Sequence, residues 1–259
     1  MAETIAVLSL KGGTGKTTTV RTLSDVLRRV GLDVLAIDMD PQGNLSDYFD
    51  VPPDASPTIA DVLSGDAKAK AAIHDGIVPA TPILAEVERS MSGKMGRELV
   101  LRKALKDARK QHDVILIDCP PALGLLTING LVAADWALIS SEAQYFALQG
   151  VQGALEVIEQ AKEFYNPDLE WLGVVMNIAD MRTVHSRAAY EQLVEEFGDK
   201  VFKTVIRSSI AYAESAERAQ SILDHRPDLG ADYLALADEI LARIGLRDAR
   251  RALKPLLAS

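Results

Sequence analysis

The stretch Ile5-Ala6-Val7-Leu8-Ser9-Leu10-Lys11-Gly12-Gly13-Thr14-Gly15-Lys16-Thr17-Thr18 decides how the rest of the chain reads. An apolar, β-rich run ends in a glycine-rich loop, a lysine and two threonines follow, and a helical pattern continues from Val20. Glycines let the loop turn with its N–H groups pointing inward, and the helix behind it adds the positive end of its dipole. Such a concavity binds phosphate. Gly12, Gly13, Thr14, Gly15, Lys16, Thr17 and Thr18 form the candidate cradle, with Lys16 directed at the β- and γ-phosphates and the Thr17 hydroxyl at Mg²⁺. A glycine-rich turn with stray lysines is the plain alternative. It leaves seven consecutive matching residues between a strand and a helix unexplained.

Working outward, the chain has 259 residues, 48% of them hydrophobic and 25% charged, which suits one large α/β domain. No apolar run approaches the roughly 20 residues of a membrane span. Met1-Ala2-Glu3-Thr4 leads directly into the first strand, so no secretory signal is expected. The single cysteine, Cys119, excludes an internal disulfide and fits a reducing cytoplasm. His74, His112, His185 and His225 lie too far apart for ligand spacing. A net charge of −9 gives no bulk attraction to nucleic acid.

Strand-like runs recur at Ile5–Leu10, Asp33–Ile37, Val114–Ile117, Trp136–Ile139, Leu172–Met176 and Val201–Val205. They are mostly continuous in hydrophobicity, as in strands covered on both faces. Helical patterns lie between them, at about 17–30, 97–111, 125–134, 147–163, 186–197 and 231–244. This alternation predicts an α/β fold with a doubly wound, mostly parallel sheet and helices on both faces. Ligands are then expected at the carboxyl ends of the strands. The stretch 51–75, with Pro52, Pro53 and Pro57, reads as a surface excursion holding a short helical piece near 59–63.

Two further carboxylate motifs support the phosphate reading. Asp38 and Asp40, in Ala36-Ile37-Asp38-Met39-Asp40-Pro41-Gln42-Gly43-Asn44, leave the second strand where Pro41 and Gly43 turn the chain. Val114-Ile115-Leu116-Ile117-Asp118-Cys119-Pro120-Pro121 fits a Walker B strand whose Asp118 meets Mg²⁺. Cys119 lies within that motif and reads as a small packing residue.

The loop departs from the general P-loop pattern, since Leu10 stands where a glycine is usual and Lys11 opens the loop. With Asp-x-Asp-Pro-Gln-Gly-Asn next, and Ala122-Leu123-Gly124-Leu125-Leu126-Thr127-Ile128-Asn129-Gly130 after Walker B, the chain resembles the ParA/Soj family of deviant Walker A ATPases in the ParA/MinD group. Tyr145-Phe146-Ala147-Leu148-Gln149-Gly150 and Gly173-Val174-Val175-Met176-Asn177 keep the same pattern, and the likeness runs from about residue 4 to 241. It implies one ATPase domain over 1–259, with a core over 1–241 and a basic tail over 242–259. ATP and Mg²⁺ are the implied cofactors. Lys11 is expected to reach the partner's nucleotide in an ATP-bound homodimer, with Asp40 orienting the attacking water and Asp38 supporting the metal. Asn177 is expected to contact the base, alongside Ile206 and Arg207 where relatives carry Pro-Arg.

The resemblance also implies chromosome or plasmid partition. That role entails non-specific DNA binding by the ATP dimer, stimulation by a ParB-like partner and a place in the cytoplasm on the nucleoid. The chain starts at its first strand, which favours the short, chromosomal type. The region 181–226 carries seven basic and seven acidic residues, and 243–254 carries five basic and one acidic. Arg182, Arg187, Lys200, Lys203, Arg207 and Arg218 are the candidate DNA contacts, with Ala211 standing where relatives place a DNA-contacting arginine. The rival is a MinD-like ATPase that positions a cargo or works on a membrane. The segment 243–254 could lie on anionic lipid, but it lacks Trp and Phe, Gly245 weakens it and Pro255 is expected to end it. A membrane partner is therefore not expected. A metabolic P-loop enzyme needs an acceptor-substrate pocket that the sequence does not mark.

Overall fold

The structure, a computed structural model, describes residues 1–122, 124–144 and 146–258; Leu123 and Tyr145, part of the motifs above, lie outside it. Seven strands form one sheet: β1 (Glu3–Leu8), β2 (Val34–Asp38), β3 (Ile77–Val78), β4 (Val114–Asp118), β5 (Trp136–Glu142), β6 (Glu170–Ala179) and β7 (Val201–Arg207). Their order is β3-β2-β4-β1-β5-β6-β7, and every neighbouring pair is parallel. The helices are α1 (Lys16–Arg29), α2 (Asn44–Tyr48), α3 (Ile59–Ser64), α4 (Ile83–Met91), α5 (Val100–Ala104), α6 (Ala108–Gln111) and α7 (Leu125–Ala133). They continue with α8 (Ala147–Phe164), α9 (Val184–Phe197), α10 (Ala211–Glu217), α11 (Ile222–His225), α12 (Pro227–Arg243) and α13 (Arg247–Leu257).

The continuous apolar runs have the predicted cause, a sheet buried on both faces. Along β1, Ala6 and Leu8 join one core with α3–α5 and α7–α9, whereas Ile5 and Val7 join a second with α1 and α10–α13. Because side chains alternate across a strand, neither face tolerates a polar run. The central position of β1 puts the glycine-rich loop at the middle of the sheet's carboxyl edge. The short β3 extends the sheet by two residues beyond the expected strands.

Three boundaries differ from the sequence reading. β1 stops at Leu8, because the Ser9 Oγ already accepts from the Lys11 N–H in the turn that follows. The pattern over 97–111 is not one helix: a 3₁₀ turn at Arg97–Leu99 leads into α5, and α6 begins only at Ala108. Between them the Lys106 N–H reaches the Lys103 carbonyl, three residues back, which breaks the regular ladder. Pro255 does not end the terminal helix. It sits inside α13, where Ala249 and Leu253 are buried against the second core and support the turn.

Candidate nucleotide site

The phosphate loop is shaped by backbone conformation. Gly13 and Gly15 adopt φ of +74° and +83°, a region closed to most side chains, and Gly15 caps α1. No acidic residue stands in the first turn of α1, so its N-terminal N–H groups remain available to an anion. The loop is anchored from behind. The Ser140 hydroxyl at the end of β5 donates to the Thr14 carbonyl at 2.7 Å and accepts from Asn177 Nδ2, also at 2.7 Å. The same amide nitrogen reaches the Thr19 Oγ1 at 3.3 Å. Lys16 is buried, with its ammonium 3.4 Å from the Lys11 carbonyl, so it folds over the loop.

Two strand ends supply the carboxylates, and Asp38 and Asp118 are register partners across the β2–β4 ladder. The Thr17 hydroxyl donates to Asp118 Oδ2 at 2.7 Å, while Asp118 Oδ1 is buried without a partner. Burial, reinforced by the neighbouring Asp38 carboxylate, pushes the Asp118 carboxyl up to about 8. Asp38 has a different environment. Its Oδ1 accepts from the Asp40 N–H, and its Oδ2 accepts from both the N–H and the hydroxyl of Ser46, all within 3.0 Å. Burial pushes this carboxyl up to about 6. With both oxygens occupied, Asp38 holds the Asp40 turn in place. Asp40 itself accepts from the Gln42 N–H in that turn.

One cavity of about 720 Å³ joins these parts. Gly12 through Thr18, Asp40, Asn177, Ile206 and Arg207 all line it. The side chains of Tyr212 and Tyr233, which the sequence did not single out, complete one wall with their rings 6.1 Å apart. Ile178, at φ +54°, stands at the rim, an unusual conformation for a β-branched residue and so a strained one. The Asn177 Oδ1 is buried without a partner beside the loop. Arg207 is tied to Asp232 and to the Asp228 carbonyl. Lys11 does not line this cavity. Its ammonium is held on the far side of the loop by Glu142 Oε2 at 2.8 Å and Gln144 Oε1 at 2.7 Å.

The residues present fit a nucleoside triphosphate with Mg²⁺. The inward turn accepts phosphates, and the orphaned Asp118 oxygen beside the Thr17 hydroxyl matches the oxygen donors a hard cation takes. Among the described residues no group of three or more His, Cys, Asp or Glu could hold a metal. Cys119 is fully buried behind Asp118, and burial pushes its thiol up, so it packs and does not react.

The candidate DNA contacts fall at both edges of the sheet, with Arg207 ending β7 beside Ala179 of β6. Arg182 is paired with Asp180, and Arg187 donates to the Met181 and Arg182 carbonyls near the carboxyl end of β6. Lys200 donates to the Trp171 carbonyl at the opposite, amino-terminal edge of the sheet. Lys203 and Arg218 are exposed on separate elements.

Fold and site together define a P-loop ATPase. Residues 2–171 match the protein family described as AAA domain. The sporulation initiation inhibitor protein Soj of Bacillus subtilis is 36% identical over 251 residues, 93% of this chain and 99% of that protein. The chromosome-partitioning ATPase Soj of Thermus thermophilus is 37% identical over 246 residues, covering 93% and 96%. A crystal structure of cobyrinic acid a,c-diamide synthase from Mycobacterium smegmatis with bound ADP and magnesium is 34% identical. It superposes with a TM-score of 0.77 over 87% of this chain and 95% of that one. The chain belongs to the ParA/Soj family.

Proposed function

We propose that this chain is a partition ATPase whose ATP-bound dimer holds DNA without sequence preference and lets go after hydrolysis. The observation that carries the nucleotide half is the orphaned Asp118 oxygen beside the Thr17 hydroxyl, at the foot of an anion-binding loop. Thr17 and Asp118 would hold Mg²⁺, which would supply charge neutralisation to the phosphoryl group. This chain's part is to position: Lys16 is drawn from the Lys11 carbonyl to the phosphates, and Thr17 and Asp118 present oxygen donors. Asp40, held by Asp38 through the intervening turn, orients the water. The Asn177 Oδ1 and the wall formed by Ile206 and Arg207 face the base.

Lys11 supports the dimer half. It lies outside its own nucleotide cavity and 60% of its side chain is exposed, so on leaving Glu142 and Gln144 it would serve a second subunit. A cation supplied in trans to a phosphoryl transfer is worth about 10³–10⁵ in rate. Intrinsic turnover by the monomer is therefore slow, and a ParB-like activator would raise it in the DNA-bound dimer on the nucleoid.

The membrane-working reading loses its main support, since the apolar face of α13 is buried and no helix among the described residues is long and apolar enough to cross a membrane. A synthase activity like that of the M. smegmatis neighbour would need an acceptor substrate. ATP turnover measured with DNA, with anionic liposomes and with neither separates the readings. A rate raised by DNA alone supports partition. A rate raised by liposomes and not by DNA contradicts it.

A further inference from the structure

The structure leaves Arg182, Arg187 and Arg207 at the adjoining carboxyl ends of β6 and β7 and Lys200 at the opposite edge of the sheet. It gathers four others. Arg247, Arg250, Arg251 and Lys254 follow one another at i, i+3, i+4 and i+7 along α13, the spacing of a single helix face. All four are exposed, and together they line one concave patch of about 450 Å³.

The opposite face of the same helix is occupied. Leu253 is fully buried, Ala249 nearly so, and Leu246 and Leu256 pack against the same core beside α12. The base of the helix is fixed as well. The Arg243 guanidinium lies 3.8 Å over the Phe202 ring and donates to the carbonyls of Leu172, Asp199 and Lys200. An amphipathic helix that binds lipid must bury its apolar face among acyl chains. Here that face already closes the protein core, and the face presented is cationic, with Asp248 the one acidic residue of the helix. A rigid row of charge with no apolar partner surface suits a polyanion.

The row also has a matching length. Seven residues of α-helix span about 10 Å, and one DNA strand carries a phosphate about every 3.4 Å of axis, so the row faces about three phosphates. Arg250 is fixed by a two-point pair with Asp238 at 2.8 Å, and Arg251 is paired with Asp248. The side chains of Arg247 and Lys254 make no hydrogen bond or ion pair among the described residues, though Lys254 also lies in the field of Asp238, and both are exposed to meet phosphate.

We propose that the exposed face of α13, through Arg247, Arg251 and Lys254, is the surface by which this chain grips the phosphate backbone of duplex DNA. This rests on the partition reading and adds to it the surface that does the binding.

The test is fluorescence anisotropy of labelled random-sequence duplex DNA with the full chain, ATP and Mg²⁺, across a salt series. R247A/R251A/K254A is compared with wild type, and Arg250 is left in place to keep α13 docked. The variant should bind more weakly. The slope of log K against log salt should shrink by about 0.9 for each phosphate no longer neutralised, or about 2.7 per engaged protomer. Its DNA-free ATPase rate and melting temperature should match wild type, which separates a missing surface from a damaged fold. Vesicles containing phosphatidylserine should bind neither protein. Wild type that binds DNA while the variant keeps the same affinity and slope would overturn the α13 assignment and leave the partition reading standing. Wild type that binds no DNA with ATP would overturn both. Vesicle binding by wild type that disappears in the variant would assign the face to lipid and overturn the proposal.

Discussion

The Lys11 ammonium is 2.8 Å from Glu142 Oε2, although 131 positions separate the two residues in sequence. Gln144 completes the hold by accepting from Lys11 and donating to Glu142 Oε1 at 2.6 Å. The lysine expected to act on a partner's nucleotide is thus parked on its own subunit, at the end of the strand next to the loop that carries it.

Releasing that pair should favour the dimer, but modestly. Lys11 is mostly exposed, and exposed pairs contribute about 0.2–1 kcal/mol. Glu142→Gln should therefore strengthen ATP-dependent association by no more than about fivefold for each of the two lysines released, about thirtyfold for the dimer, read as a dimer dissociation constant by analytical ultracentrifugation. Weaker association would show that Glu142 supports the lysine's working position instead.

The buried carboxyls predict a pH dependence with a definite sign. Asp118 is raised from 3.8 to about 8 and Asp38 to about 6, both chiefly by burial. A carboxyl raised in the folded state stabilises the fold while neutral; the contribution is complete below about pH 4 and is lost as pH rises through the folded value. Nucleotide-free protein should lose melting temperature between about pH 4 and 8, and Asp118→Asn should flatten the upper part of that fall. Binding of Mg-ATP, which needs the carboxylate, should strengthen over the same range and release a proton, measurable by calorimetry in buffers of different ionisation enthalpy.

Gly15→Ala tests the loop. The residue holds φ +83°, and an added Cβ would lie 3.3 Å from the Asn177 amide carbon. A left-handed conformation costs about 1–2 kcal/mol for a residue with a Cβ, before any displacement of Asn177. Nucleotide affinity should fall by tenfold or more while the far-ultraviolet circular dichroism is unchanged.

Leu253→Ala tests whether α13 belongs to the core. Leu253 is fully buried among residues of α12 and its neighbours, and truncating such a leucine costs about 2–5 kcal/mol. Urea unfolding should show a loss in that range. A loss below about 0.5 kcal/mol would mean that the helix is detached in solution.

The phosphate site was legible because its chemistry is local. Seven consecutive residues make the loop, and Asp38, Asp40 and Asp118 stand where apolar strands end. The parallel sheet was legible for a similar reason, in continuous apolar runs separated by helical ones. What holds the site was not legible. Ser46 meets Asp38, Ser140 meets Thr14 and Glu142 meets Lys11 only because the strand order brings distant carboxyl ends together. Ser140-Ser141, interrupting an apolar run, was the one available signal for these contacts. The docking of the tail was hidden for a related reason. Its basic character was plain, but whether its apolar residues faced lipid or core depended on how it docks on α12, as the Arg250–Asp238 pair shows.

Lys11 acting across a dimer is the central claim. The direct measurement is light-scattering mass with Mg-ATP for Asp40→Ala, which should bind nucleotide but hydrolyse it slowly, alone and combined with Lys11→Ala. A dimer is expected for the single variant and a nucleotide-bound monomer for the double. A double variant that dimerises as readily as the single one would contradict the claim.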